Sequence, residues 1–404
     1  MAICRLVSTA CLAPKIGRMF NHRIHNFSAG PAAIPLPVLQ KAKDEFLNFE
    51  GTGMSIMEMS HRSKEFEAVL ARAIDGVKQV LGVPDDYAIL FIQGGASMQF
   101  TMVPMNLALP GKKIDLIQTG AWTQKAHKEA KRHADVNIVA TTESENFMRL
   151  PRADELKFTP DAAYVHMCSN NTIFGTEYNS LPDTKGIPIV SDMSSNIASR
   201  EIDVSKHGLI FAGAQKNLGP SGVTLVIVRK DLAERADKNL PSMLQYRTYI
   251  AENSMYNTPP TFGIYMLALT MEHIKETGGL KATEARNIAK ATALYDAIDG
   301  SNGYYRCPVN KADRSRMNVN FRIYRRQEAS GSATGTMPSA STSGNEASEA
   351  LEKQFVGEAE KAGFSGLKGH RSVGGLRASI YNAVEQNSIN ELIKFMNDFA
   401  RKNA

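Results

Sequence analysis

The stretch GLIFAGAQKNLGPSGVTLVIVR (208–229) decides how this chain is read. Two apolar, β-rich runs, 208–213 and 223–229, bracket a loop of small residues that carries one lysine, Lys216. Runs this short and this rich in Val, Ile, Leu and Phe predict strands of a sheet buried on both faces. A lysine just beyond such a strand is partly removed from water, and a desolvated amine is a usable nucleophile. Upstream the same pattern recurs in YAILFI (87–92), KIDLIQ (113–118), VNIVAT (136–141), AAYVHMC (162–168) and IPIVS (187–191), each bounded by Gly, Asn, Asp or Pro. Helical stretches start at about Ala96 and, after Thr119-Gly120, run to about His133. Apolar strands separated by helices predict an α/β domain with a mostly parallel seven-stranded sheet, covered on both faces. Ligands on such a sheet bind at the carboxyl ends of the strands, so the residues following each strand are the candidates for function.

Further along, residues 259–276 predict a long apolar helix after a Pro-Pro break, and from about 277 the pattern changes. MNVNFRIY (317–324) alternates as a strand, and 349–363 and 389–402 are amphipathic helices, which predicts a smaller C-terminal α+β domain. The expected division is an extension over 1–22, a large domain with an N-terminal arm over 23–276, and a small domain over 277–404. Within the last, residues 328–348 are nearly all Ser, Thr, Gly and Ala; such a segment buries no apolar surface and is expected to be a flexible surface insertion.

The 404 residues carry a net charge of +6, but the basic residues are interleaved with acidic ones and form no run. That excess favours small anionic substrates rather than nucleic acid. The four cysteines show neither CxxC nor zinc spacing, so no metal site is expected and a reducing compartment fits. No run of 18 apolar residues predicts a membrane span. Met1 to Lys43 lacks any acidic residue and includes Arg5, Lys15, Arg18 and Arg23. This composition fits an organellar transit peptide, and equally a plain extension or a start at Met19, with a cytoplasmic protein as the other expectation.

Four strand ends carry candidate chemistry. Gln93-Gly94-Gly95-Ala96-Ser97 joins a strand to a helix, where open N–H groups favour a phosphate. Trp122, the single tryptophan, follows a strand end and could stack on a flat ring or simply pack. Asp192 follows IPIV, where a carboxylate could pair with a protonated ring nitrogen or cap the next turn. Lys216, taken alone, could be a surface lysine in a turn. Taken in this order, a phosphate cradle, a stacking face, a pyridinium partner and a nucleophilic lysine are what a pyridoxal phosphate site needs.

NFSAGPA (26–32), MSHRSKEF (59–66), FIQGGASMQF (91–100), VPMNL (103–107) and KGHRSVGGLRASIYNA (368–383) resemble the phosphoserine aminotransferases, and the resemblance runs from about His25 to the C-terminus. It implies a fold-type-I pyridoxal phosphate enzyme, usually a homodimer with sites at the interface. It implies that Lys216 binds the cofactor covalently and moves the substrate's α proton, that Asp192 holds the pyridinium nitrogen, and that Trp122 stacks on the ring. The N–H groups of Ala96 and Ser97 would hold the phosphate, Thr172 and Gln215 would contact the cofactor, and Asn257 and Thr258 would reach it from the neighbouring subunit. For substrate it implicates His61, Arg62, His370, Arg371 and Arg377. One site must accept phosphoserine and glutamate in turn, and Arg suits both because its planar fork binds carboxylate or phosphate. The implied reaction is amino transfer between L-glutamate and 3-phosphohydroxypyruvate in serine biosynthesis, and in some members also to a related phosphorylated keto acid of vitamin B6 synthesis. A desulfurase of the same fold would need a mobile reactive cysteine, and neither Cys168 nor Cys307 lies in such a loop. An inactive scaffold would lack Lys216 or Asp192, and both are present.

Overall fold

The computed structural model describes residues 23–324 and 347–403. The chain enters through a short strand, β1 (His25–Asn26), and helix α1 (Leu36–Asp44), then runs up the long helix α2 (Lys64–Leu81). Ser63 caps α2 by accepting the Phe66 N–H, and Gly82, at φ 65°, ends it in the left-handed conformation. Strand and helix then alternate: β2 (Tyr87–Ile92), α3 (Gly95–Leu107), β3 (Ile114–Gln118), α4 (Ala121–Ala130), β4 (Val136–Thr141). The next four strands are β5 (Val165–Cys168), β6 (Ile189–Asp192), β7 (Leu209–Gly213) and β8 (Thr224–Arg229). All seven predicted strands form.

The predicted alternation with helices stops at β4. From β4 to β8 the described connections contain turns of 3-10 helix and loop but no α-helix. The reason is local: SNNTIFGTEYNSLPDTKGIP (169–188) is dense in Asn, Ser, Thr, Gly and Pro, whose side chains and backbones favour turns over helix.

The seven strands lie in the order β2-β8-β7-β6-β5-β3-β4. β3, β4, β5, β6 and β7 pair in parallel, and β8 runs antiparallel between β7 and β2. The carboxyl ends of all strands but β8 therefore share one edge of the sheet. Because β7 and β8 are antiparallel neighbours, the loop 214–223 hangs from that same edge. Alternate side chains of β8 serve the two faces. Leu225 and Ile227 join α2 and the following helices in one core, while Val226 and Val228 join Phe100 and Met102 of α3 in the other.

After β8 come α5 (Lys230–Ala233), α6 (Tyr246–Ala251), α7 (Thr261–Glu276) and α8 (Gly279–Asp299). Then β9 (Tyr305–Arg306), β10 (Asn318–Ile323), α9 (Glu349–Lys361), β11 (Phe364–Ser365), β12 (Leu376–Ser379) and α10 (Gln386–Asn403) complete the chain. β12, β10 and β9 form an antiparallel three-stranded sheet with its own core around Phe321, Phe355 and Leu392. The start of the arm belongs to that core: β1 pairs in parallel with β11, and Phe27 is fully buried there. The predicted extension 1–22 lies outside the described residues, as does the insertion 328–348 except at its end. There Ala347 bridges to Tyr324, and the Ser348 hydroxyl caps α9 by accepting the Leu351 N–H. No described helix is long and apolar enough to cross a membrane.

Candidate active site

The shared carboxyl edge of the sheet opens into a cavity of about 340 Å³, closed on one side by β12 and on another by Ala29 and Gly30 of the arm. Its lining brings together Ala96, Ser97, Trp122, Thr172, Asp192, Gln215, Lys216, His370 and Arg377. These nine of the fourteen residues singled out above are separated by up to 281 positions in sequence, and the strand order is what gathers them.

Each wall has a local cause. Gly94 enters α3 at φ 92° with no side-chain cap, so the first N–H groups of that helix are left open toward the cavity. Open amides and the positive end of the helix dipole together suit a phosphate. Trp122 is the second residue of α4. The backbone ahead of it is locked by Thr123, whose hydroxyl accepts from the Thr119 and Gly120 N–H groups at 3.0 and 3.2 Å, and by Asn171, whose amide donates to the Thr119 carbonyl at 2.6 Å. Gly120 is required there, since a Cβ would come within 2.5 Å of Asn171 Oδ1. The indole both packs on the α3 core and lines the cavity, and its Nε1 is buried without a partner.

Asp192 ends β6 and is 4% exposed. Its Oδ1 accepts the Ser194 N–H at 2.9 Å. Burial pushes its carboxyl up, while Ser194 and Lys216 pull it back toward the charged form. A protonated ring nitrogen would add to that pull. Lys216 Nζ donates to Thr172 Oγ1 at 2.6 Å, and the carbonyl of the same Thr172 accepts from Arg377 Nη1 at 3.1 Å. Arg377, on β12, is 8% exposed, and its Nε is buried without a partner. His370 Nδ1 accepts the Ser372 N–H at 3.3 Å and lies 2.7 Å from the Ser372 hydroxyl. Burial first, and then Arg377, Arg371 and Lys125, hold its imidazole below the ordinary range.

The single chain does not bring His61, Arg62, Arg371, Asn257 or Thr258 into this lining. Arg62 and Thr258 are exposed; the Thr258 carbonyl accepts from Gln93 Nε2 at 3.4 Å, beside the start of α3, and Asn257 Oδ1 is buried without a partner. Conversely, Asn170, Ser194, Ser195 and Cys168 line the cavity without having been singled out for it. Asn170 lies two residues beyond β5, where the strand-end rule could have found it. Cys168 is buried as expected, but at the cavity wall: its Sγ donates to the Asn170 carbonyl at 3.2 Å, and burial pushes the thiol up, away from a reactive thiolate.

Open amides at a helix start, a ring with an unpartnered Nε1, a buried carboxylate and a lysine amine on a hydroxyl fit pyridoxal phosphate group by group. Fold and cavity together define a pyridoxal phosphate enzyme of fold type I. The aminotransferase class-V family matches residues 24–392. Phosphoserine aminotransferase of Geobacillus kaustophilus (strain HTA426) is 52% identical over 380 residues, covering 94% of this chain and 99% of that protein. The solved phosphoserine aminotransferase of Bacillus circulans subsp. alkalophilus superposes with a TM-score of 0.87 at 49% identity, covering 95% of this chain and 99% of that one. The pyridoxal-phosphate-bound phosphoserine aminotransferase of Trichomonas vaginalis gives 0.84 at 39% identity, covering 93% and 100%. The chain belongs to the class-V aminotransferases, and within them to the phosphoserine aminotransferase family. It is a transaminase whose cofactor is pyridoxal phosphate.

Proposed function

We propose that this chain transfers an amino group reversibly between L-glutamate and 3-phosphohydroxypyruvate, forming O-phospho-L-serine and 2-oxoglutarate. The observation that carries the reading is the junction at Thr172, whose hydroxyl receives Lys216 and whose carbonyl receives Arg377. It sets the nucleophilic amine beside a buried guanidinium, so a carboxylate bound by Arg377 presents its α carbon to Lys216.

When bound, pyridoxal phosphate supplies the electron sink that makes loss of the α proton feasible. The residues of the chain do the rest. The N–H groups of Ala96 and Ser97 would hold the phosphate, Trp122 would cover one ring face, Thr172 and Gln215 would fix the ring edge, and Asp192 would keep the ring nitrogen protonated. Lys216 would hold the cofactor covalently between turnovers, and its amine would take and carry the proton removed from the substrate α carbon. Arg377 would clamp the carboxylate, and His370, with Arg371, His61 and Arg62, would receive the distal phosphate or carboxylate. Asn257 and Thr258 would reach the site of a second copy in a homodimer, which accounts for their position outside the lining of their own chain. We infer that residues 23–276 and 277–404 act as the large and small units, and that the protein works in the cytoplasm unless residues 1–22 direct it to an organelle.

An absorbance spectrum before and after O-phosphoserine tests the reading. The expected result is a near-visible band that shifts on adding O-phosphoserine and is missing in Lys216→Ala. A band that responds to glutamate and not to O-phosphoserine would overturn the substrate and keep the transaminase.

A further inference from the structure

Lys125 does not line the cavity, and its one role so far is to act on His370. It lies on α4 three residues after Trp122, on the same helical face, and its Nζ stands 4.5 Å from the centroid of the Trp122 ring. No carboxylate pairs with it among the described residues, and its side chain is exposed to solvent. The charged groups that act on His370 are Arg377, Arg371 and Lys125, all cations. Trp122, His370 and Arg377 line one cavity, and Lys125 lies over the Trp122 ring outside that lining, a cation without a carboxylate partner among the described residues.

We propose that Lys125 is a specificity-determining residue: its ammonium, held over the Trp122 indole, biases the cavity toward a substrate whose distal group is a phosphate dianion over one whose distal group is a carboxylate. The inference rests on the amino-transfer reading above. A lysine ammonium is a point charge that attracts by charge rather than by forked geometry. Its Coulomb energy therefore scales with the charge of the distal group, which is close to −2 for a phosphate ester and −1 for the glutamate side chain. If removing the ammonium costs glutamate a given factor, it costs phosphoserine about that factor squared.

The test compares holoenzyme with Lys125→Met, which keeps an apolar stem on the indole, and with Lys125→Arg, which keeps the charge. The two half-reactions, with O-phosphoserine and with glutamate, are followed by the cofactor band at low salt and at about 0.5 M salt, where the Debye length is only about 4 Å. Lys125→Met is expected to lose about tenfold in kcat/KM for O-phosphoserine and about threefold for glutamate. Both losses should fade at high salt, and Lys125→Arg should stay near wild type. Equal losses for both substrates that persist at high salt would mean that Lys125 only supports the indole, and no loss would mean that it plays no part; either overturns the proposal. A wild-type band that ignores O-phosphoserine would instead overturn the substrate reading, and this is seen before any variant is compared.

Discussion

Thr172 joins two functions that a single substitution separates. Thr172→Val keeps the backbone carbonyl that receives Arg377 and the shape of the side chain, but removes the hydroxyl that receives Lys216. A hydrogen bond between neutral groups contributes about 0.5–1.5 kcal/mol, so kcat should fall about 2- to 10-fold while KM for O-phosphoserine changes little. Steady-state kinetics check this, and an unchanged kcat would remove the hydroxyl from proton handling. Asp192→Asn keeps size but loses the charge proposed to face the ring nitrogen. Breaking a buried charge pair costs about 3 kcal/mol or more, which is at least about 100-fold in kcat, with the cofactor still visible by absorbance. At this scale the sequence was readable where a distinctive residue follows a strand, as Asp192, Lys216 and Trp122 do. Ser195 was not, because a small polar residue beyond a strand end looks the same whether it lines a cavity or caps a turn. His61, Arg62, Arg371, Asn257 and Thr258 entered only through resemblance, and one chain does not gather them.

At the scale of elements, the start of α3 is the proposed phosphate cradle, and its geometry depends on Gly94. With φ at 92°, an added Cβ would stand 2.6 Å from Met98 Cβ, inside the first turn of the helix. Gly94→Ala must therefore shift the turn that presents the Ala96 and Ser97 N–H groups. Strain of about 1–3 kcal/mol is expected, with cofactor affinity down about tenfold or more. Gly95→Ala, at φ 66° with open space around its Cβ, is the milder control. Titration with pyridoxal phosphate, read by quenching of Trp122, the one tryptophan, measures both. Equal effects in the two variants would show that backbone conformation matters and the clash does not. The seven strands were legible because burial on both faces demands continuous apolar runs. The missing helices between β4 and β8 were not, since the fold-level rule of alternation was extended past the point where the local sequence supports it. The pairing of β1 with β11 was also hidden, because two residues carry no periodicity to read.

At the scale of the whole molecule, two deeply buried histidines weigh most among the histidines in the response to acid. His166, on β5, lies among Phe100 and Phe211 with its Nε2 unpartnered, and His207 is buried with Nδ1 3.0 Å from the Ser191 hydroxyl. Burial pulls each down to about 4 from an ordinary 6.5. In the unfolded chain both take up a proton near pH 6.5, whereas in the folded chain they stay neutral until about pH 4. Between those limits the unfolded state binds more protons, so stability falls as pH falls. The step from 6.5 down to about 4 corresponds to about 3 kcal/mol for each histidine once the pH is at or below 4. Asp192 opposes this, because its raised carboxyl takes up a proton earlier in the folded state. Urea unfolding at pH 7 and at pH 5 should show a midpoint that drops steeply. In His166→Leu, which also removes the unpartnered nitrogen, the drop should be smaller by about 2 kcal/mol at pH 5, its share of the histidine contribution. Parallel pH dependence in the two proteins would mean that His166 is not the group that resists protonation. The acid response would then belong to His207 and to other histidines that burial holds below their ordinary range, such as His127 and His273.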